Sequence, residues 1–223
     1  MSEKYEEIRV QENAIYEAIE QISIPAAKST GNDVFDRALD WLCQDTEAVL
    51  DFGCGHGTLI FLCSIRGTKN HTGIDISDIA IRIAEKRKLS TSNGTFAFID
   101  GGLEKLSDIQ DSTFDAVILS NVVDNLYPED ARSLLLHINR ILKTSGKVLV
   151  KLNPYITKEQ MEEWGITVIK DNLLNDGFYL WNNTTEEWRD ILSAGFEITD
   201  YQEIYYPEHD MYNRLFLLTK SSK

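Results

Sequence analysis

One stretch constrains the fold more than any other: Val49–Leu59, which reads VLDFGCGHGTL. A short apolar run, Ala48–Phe52, has the look of a buried strand and carries Asp51 near its end. Gly53, Gly55 and Gly57 then alternate before a helical pattern begins. Glycine lets the backbone turn sharply there and approach a ligand with no Cβ in the way. The free amides at the start of the next helix favour anionic or polar groups. Taken alone, the turn is equally a tight strand–helix connection that binds nothing.

The rest of the chain repeats the same rhythm. His71–Asp75, Thr95–Ile99, Phe114–Leu119 and Lys147–Leu152 are further strand candidates. Ile76, Ile79, Ile83 and Arg87 recur at helical spacing, as do Ala131, Leu134, Leu135, Ile138 and Leu142 after Pro128. Gly146 is placed to end that second helix as a left-handed cap. Such alternation predicts a parallel sheet with helices on both faces, a doubly wound α/β fold. Beyond Leu152 a capped helix, two strand-like runs (Ile166–Ile169 and Phe178–Trp181) and a second capped helix precede two long strand candidates. These are Glu197–Tyr206 and Arg214–Thr219; with no helix between them, they should pair antiparallel. At the front, Tyr5, Ile8, Ile15, Ile19 and Ile22 fit one helix face, interrupted by Gln11 and Glu12. That face reads as a packing layer or a lid, with packing favoured. A second helix, Val34–Cys43, leads into the first strand.

Asp75 ends the second strand, 22 residues after Gly53. An acid there is placed to take both hydroxyls of a ribose. On its own it reads as a cap or turn residue. Together with the glycine turn it points to a cofactor containing a nucleoside. A nicotinamide dehydrogenase would show G-x-G-x-x-G, whereas this chain has G-x-G-x-G with an acid two residues before it.

The D-x-G-x-G-x-G form resembles the first motif of class I S-adenosylmethionine-dependent methyltransferases. Asp100-Gly101 resembles that family's adenine-contacting acid, and Leu119–Leu126 (LSNVVDNL) resembles the segment beside the methionine end of the cofactor. The terminal strand pair resembles the family's reversed hairpin. The resemblance implies a seven-stranded, mostly parallel sheet with an antiparallel last strand. It implies S-adenosylmethionine as cofactor, S-adenosylhomocysteine as product, and no metal. It implies a site built from Asp51, Gly53, Cys54, Gly55, Gly57, Asp75, Ile76, Asp100, Gly101, Ser120 and Asn121. Asp51 would hold the ammonium, glycine amides the carboxylate, Asp75 the ribose and Asp100 the adenine amine. Asp124 is the candidate general base, with a turn or helix-start role as its alternative. Asn153-Pro154-Tyr155 is half of an N-P-P-Y motif but follows the fifth strand, not the fourth, which speaks against base modification.

The expected organisation is one domain, 1–223: a helical cap (1–45), a cofactor-binding core (46–152), an acceptor-covering segment (153–182) and a C-terminal helix with the strand pair (183–223). Acceptor contacts are expected from the leading helices, from the aromatic-rich Leu152–Asn182 and from the Pro207–Asn213 loop; any single aromatic there, Phe178 and Trp181 included, reads more readily as core, and His209 is either a base or simply exposed. Acidic residues outnumber basic ones 36 to 22, a formal net charge of −14, which disfavours a phosphate backbone as partner. The one basic cluster, Arg82, Lys86, Arg87 and Lys88, reads as a solvated helix face. The expected acceptor is therefore a small molecule, with no nucleic acid and no membrane. Met1–Val10 is too charged for a signal peptide, so the expected compartment is the cytoplasm. Cys43, Cys54 and Cys63 form no CxxC pair and read as buried thiols. Two alternatives stay open: a binding protein that keeps fold and cofactor but acts through a partner, and a nicotinamide-dependent oxidoreductase.

Overall fold

The computed structural model describes residues 3–19, 23–207 and 210–221. The chain runs through α1 (Glu6–Glu17), α2 (Asp33–Cys43), β1 (Ala48–Phe52), α3 (Thr58–Ile65), β2 (Asn70–Asp75), α4 (Asp78–Arg87), β3 (Thr95–Asp100), β4 (Phe114–Ser120), α5 (Pro128–Ile141) and β5 (Leu142–Leu152). It continues through α6 (Lys158–Trp164), β6 (Thr167–Lys170), β7 (Leu173–Asp176), β8 (Phe178–Trp181), α7 (Thr185–Ser193), β9 (Phe196–Tyr206) and β10 (Met211–Lys220).

The main sheet has seven strands in the order β3-β2-β1-β4-β5-β10-β9. The first five are parallel; β10 pairs antiparallel with both β5 and β9. Strand alternation sends successive side chains to opposite faces. Val49, Ala116, Ile118, Leu149 and Leu215 pack under Phe35, Leu39 and Leu42 of α2 and Leu62 of α3. Leu50, Val117, Leu119, Val148 and Phe216 pack under Leu134, Leu135 and Ile138 of α5 and Trp188 of α7. Strand order reverses between β1 and β4. A doubly wound sheet opens its ligand crevice beyond the carboxyl ends of the strands at such a point.

Local expectations are corrected at the end of α5, in residues 153–182, at α1 and at Arg87. Helix α5 stops at Ile141, and Leu142 already belongs to β5. Gly146 is no left-handed cap: Ser145 carries the positive φ (59°). A Cβ on Gly146 would lie 2.6 Å from Leu142 Cγ, so glycine is needed for close approach inside a bulged strand. The register against β4 jumps there from Leu142 to Lys147. Residues 153–182 form α6 and a small antiparallel sheet, β6-β7-β8, with β7 unforeseen. Trp181 is core, packed edge-on against Trp188 with centroids 5.1 Å apart.

The third correction is at α1. Its apolar stripe is covered only in part: Tyr5 belongs to the core and Ile8 packs against it, whereas Ile15 is 50% exposed. Ile22 lies outside the described residues. Polar clasps add to that packing. Tyr5 hydroxyl donates to Asp130 (2.6 Å), Arg9 and Asn13 donate to Asp78, and Ser77 donates to Asn13 Oδ1 (2.6 Å). The fourth is Arg87, which is 4% exposed and not on a solvated face. It shares the inner stripe of α4 with Ala80 and Ala84.

Candidate functional site

A cavity of about 580 Å³ opens at the carboxyl ends of β1, β2, β3 and β4. Gly53, Asp75, Ile76 and Gly101 line its floor, with Ser120, Asn121 and Val122 beside them. Tyr5, Ile8, Glu12 and Tyr16 cover it from the N-terminal segment, and Leu126 and Phe178 close one end. Its volume is in the usual range for small-ligand sites.

The glycine turn is built for close approach. Gly53, Gly55 and Gly57 have φ of 78°, 52° and 83°. A Cβ on Gly55 would lie 2.2 Å from the Tyr16 hydroxyl, and one on Gly53 would lie 3.0 Å from Val122. The turn's amides are spent internally. Gly53 and Cys54 donate to the Ile74 carbonyl, Gly55 to Asp75 Oδ2 (2.7 Å) and Gly57 to the Cys54 carbonyl. The expectation that these glycine amides receive a ligand carboxylate is therefore corrected: the glycines supply room, and Asp75 pins the turn. Arg87 props it from behind, donating to the His56 carbonyl (2.6 Å) and to Thr58 Oγ1 (3.0 Å).

Two acids dominate the electrostatics. Asp51 is 1% exposed, and neither carboxylate oxygen has a hydrogen-bond partner. Burial, and secondarily the nearby Asp75, push its carboxyl up to about 8. A buried carboxylate without a partner is costly, and a cation is its natural complement. Asp75 accepts from the Gly55 and Ser77 amides (2.7 and 2.8 Å), one on each oxygen. Each oxygen keeps a second acceptor site. Burial outweighs these bonds and raises its pKa. This donor set suits a ligand that carries both a cationic group and a vicinal diol, as S-adenosylmethionine does.

The other expected residues divide. Gly53, Asp75, Ile76, Gly101, Ser120 and Asn121 reach the cavity wall; Asp51, Cys54, Gly55, Gly57 and Asp100 are not among its lining residues. Asp100 is exposed and pairs in register with Asp75 across β2 and β3. Asp124, the candidate base, is fully buried and is not among the lining residues of the cavity. One of its oxygens accepts from the Asn153 amide (2.7 Å) and side chain (3.2 Å). Asn153 also accepts from Asn121 (2.6 Å) and donates to Asn125 (2.7 Å), so this Asn-Pro-Tyr segment braces the end of β4. Of the Pro207–Asn213 loop, His209 lies outside the described residues. Tyr205 and Tyr212 pack against each other at a tilt, exposed and outside the cavity lining.

Residues 50–150 match a family model described as a methyltransferase domain. That match covers less than half of the chain, and over it the chain is similar to a methyltransferase domain. The methyltransferase fold recurs in solved structures. A 1,6-didemethyltoxoflavin-N1-methyltransferase from Burkholderia thailandensis matches with a TM-score of 0.71 at 16% identity, covering 99% of this chain and 90% of that one. A methyltransferase from Methanosarcina mazei matches with 0.64 at 20% identity, covering 79% and 93%. In sequence, a tRNA N(3)-methylcytidine methyltransferase from Schizosaccharomyces pombe is 24% identical over 74% of this chain and 56% of its own length. A ribosomal protein L11 methyltransferase from Staphylococcus carnosus is 25% identical over 60% of this chain and 42% of its own. The chain thus spans about half the length of these relatives. Their names overturn the expectation of a small-molecule acceptor and no nucleic-acid partner. A net charge is a sum over the whole surface and does not decide what the mouth of one cavity admits. Among the described residues no helix is long and apolar enough to cross a membrane.

Sequence reasoning passed over Glu12, Tyr16 and Arg87. Each had a signal. Glu12 is the polar break in an apolar stripe, Tyr16 follows it by one helical turn, and Arg87 sits at core spacing on α4.

Proposed function

We propose that the chain transfers a methyl group from S-adenosylmethionine to a nucleophilic atom of an acceptor that enters past Tyr5, Leu126 and Phe178. The observation that carries this reading is Asp51, a buried carboxylate with no partner, beside a glycine turn and one strand from Asp75. When bound, the cofactor supplies an electrophilic methyl carbon on a sulfonium, displaced in line with a good leaving group. Asp51, just behind the cavity wall, holds the ammonium directly or through water. Asp75 takes the ribose hydroxyls with its free acceptor sites while continuing to pin Gly55. Ser120 and Asn121 border the methionine end, and Gly101 leaves room for the base. The chain's further task is alignment and exclusion of water, which the α1 cover serves.

Relatives named for a tRNA cytidine and a ribosomal protein direct the first acceptor trials to macromolecules of those two kinds. Isotope-labelled S-adenosylmethionine is incubated with the protein and each acceptor, and S-adenosylhomocysteine and label transfer are measured. Label in an acceptor supports the reading. Calorimetry showing no affinity for S-adenosylmethionine or S-adenosylhomocysteine overturns it.

A further inference from the structure

Four acids line the cavity, Glu12, Asp75, Glu104 and Asp130, and among the described residues no lysine, arginine or histidine lines it with them. Three of the four are answered. Asp130 is paired with Lys4 (2.6 Å) and bonded by Tyr5. Glu104 accepts from the Gly102 amide (3.1 Å), and Asp75 accepts two backbone amides. Glu12 is the exception: burial and Asp75 are what act on its carboxyl. We propose that Glu12 is a charge-selecting residue of the cofactor site, which makes the cavity favour the cationic sulfonium cofactor over its neutral thioether product. This rests on the reading of the cavity as an S-adenosylmethionine site.

The chemistry is a matter of one charge. The cofactor carries a sulfonium, an ammonium and a carboxylate, a net charge of +1. Transfer breaks the sulfur–methyl bond, the bonding pair stays on sulfur, and the product is net neutral. An acid facing the cavity distinguishes the two by Coulomb energy, which grows as the local dielectric falls. Asp51 cannot make this distinction if it is bound to the ammonium, which both ligands share.

Glu12 is also placed to couple charge to closure. It lies on α1, which is clasped to Asp78, Ser77 and Asp130 by polar contacts and has no fully buried residue of its own. A cation in the cavity draws Glu12, and α1 with it, toward the floor. Loss of that charge with the transferred methyl removes the attraction, which favours opening and product release. The titratable groups facing Glu12 are Asp75 from β2 and Tyr16 on α1 itself; Arg9 is turned to Asp78. Burial and then Asp75 push Glu12 up to about 7, so near neutral pH a cation should displace its proton.

Calorimetry at pH 7 compares S-adenosylmethionine, S-adenosylhomocysteine and sinefungin, whose amine carries a charge near the sulfonium position. Buffers of different ionisation enthalpy report proton release. The wild-type chain should prefer the two cations and release protons on binding them. Glu12→Gln should lose roughly three- to ten-fold of the preference, through weaker binding of the cations alone, and should lose part of the proton release. Glu12→Asp, which keeps the charge, should restore most of the preference. Equal weakening of all three ligands in Glu12→Gln, or an unchanged preference, overturns charge selection while leaving the site reading intact. Failure of the wild-type chain to bind any of the three overturns the site reading, and this proposal with it.

Discussion

At the scale of single residues, the site is organised around carboxylates held out of water. Asp51 has its pKa raised to about 8, so the ligand-free fold binds its proton more tightly than the unfolded chain does. Stability should then be unaffected by Asp51 below the ordinary carboxylate range and should fall as pH rises toward 8. Asp51→Asn removes that penalty. Urea unfolding without ligand should find the variant more stable than wild type by roughly 2 kcal/mol at pH 8 and by less at pH 5. The same variant should bind S-adenosylmethionine more weakly by about 1.5–3 kcal/mol, the range for a charged hydrogen-bond partner. A variant that binds as well as wild type would remove Asp51 from the ammonium role. Asp124 behaves differently. It braces Asn153 inside the protein, so Asp124→Ala should lower the thermal midpoint, and methyl transfer by the folded fraction should persist.

At the scale of elements, much was legible because the signals were local. The strand β1, the turn after it and Asp75 follow directly from apolar runs and glycine spacing, and α2 lies where the helix Val34–Cys43 was expected. What stayed hidden depends on contacts distant in the chain. Helix α1 was read from its isoleucines, of which Ile8 packs on the core, yet much of its attachment is polar and its Glu12 and Tyr16 face the cavity. Arg87 looked like surface charge because its acceptors, the His56 carbonyl, Thr58 and the Ser23 carbonyl, come from segments far from α4 in sequence. Arg87→Lys cannot reach three diverging acceptors with one ammonium. It should cost about 1–3 kcal/mol of stability and weaken cofactor binding through a looser glycine turn. An unchanged thermal midpoint with unchanged affinity would show that the turn stands without this prop. The segment 153–182 divides by the same logic. Trp181 is packed in the core beside Trp188, so Trp181→Ala should cost about 3–5 kcal/mol. Phe178 only borders the cavity, and Phe178→Ala should unfold at nearly the wild-type temperature.

At the scale of the whole molecule, an acidic surface and an acidic cavity act together but differ in their response to salt. The formal net charge of −14 makes the exposed surface repel itself, and added salt screens that term. Glu12, Asp51 and Asp75 are covered, and their pKa values are all raised, so bulk ions screen them less. As pH rises, the ligand-free fold must ionise these groups against one another, and its stability declines. A cationic ligand is complementary to the ionised set and much less so to the protonated one, so affinity rises over the same interval. Ligand binding stabilises a fold by an amount that grows with affinity at fixed ligand concentration. The rise in thermal midpoint produced by a fixed excess of S-adenosylmethionine should therefore be larger at pH 8 than at pH 5.5, and the difference should survive high salt. In a Glu12→Gln, Asp51→Asn double variant the difference should shrink toward zero. Differential scanning calorimetry at the two pH values, with and without salt, measures all of these quantities on one protein. If the ligand-induced shift is the same at both pH values in the wild-type chain, the cavity acids are not what recognises the cofactor's charge. If the shift differs but vanishes in high salt, the exposed surface is responsible and the covered acids are not.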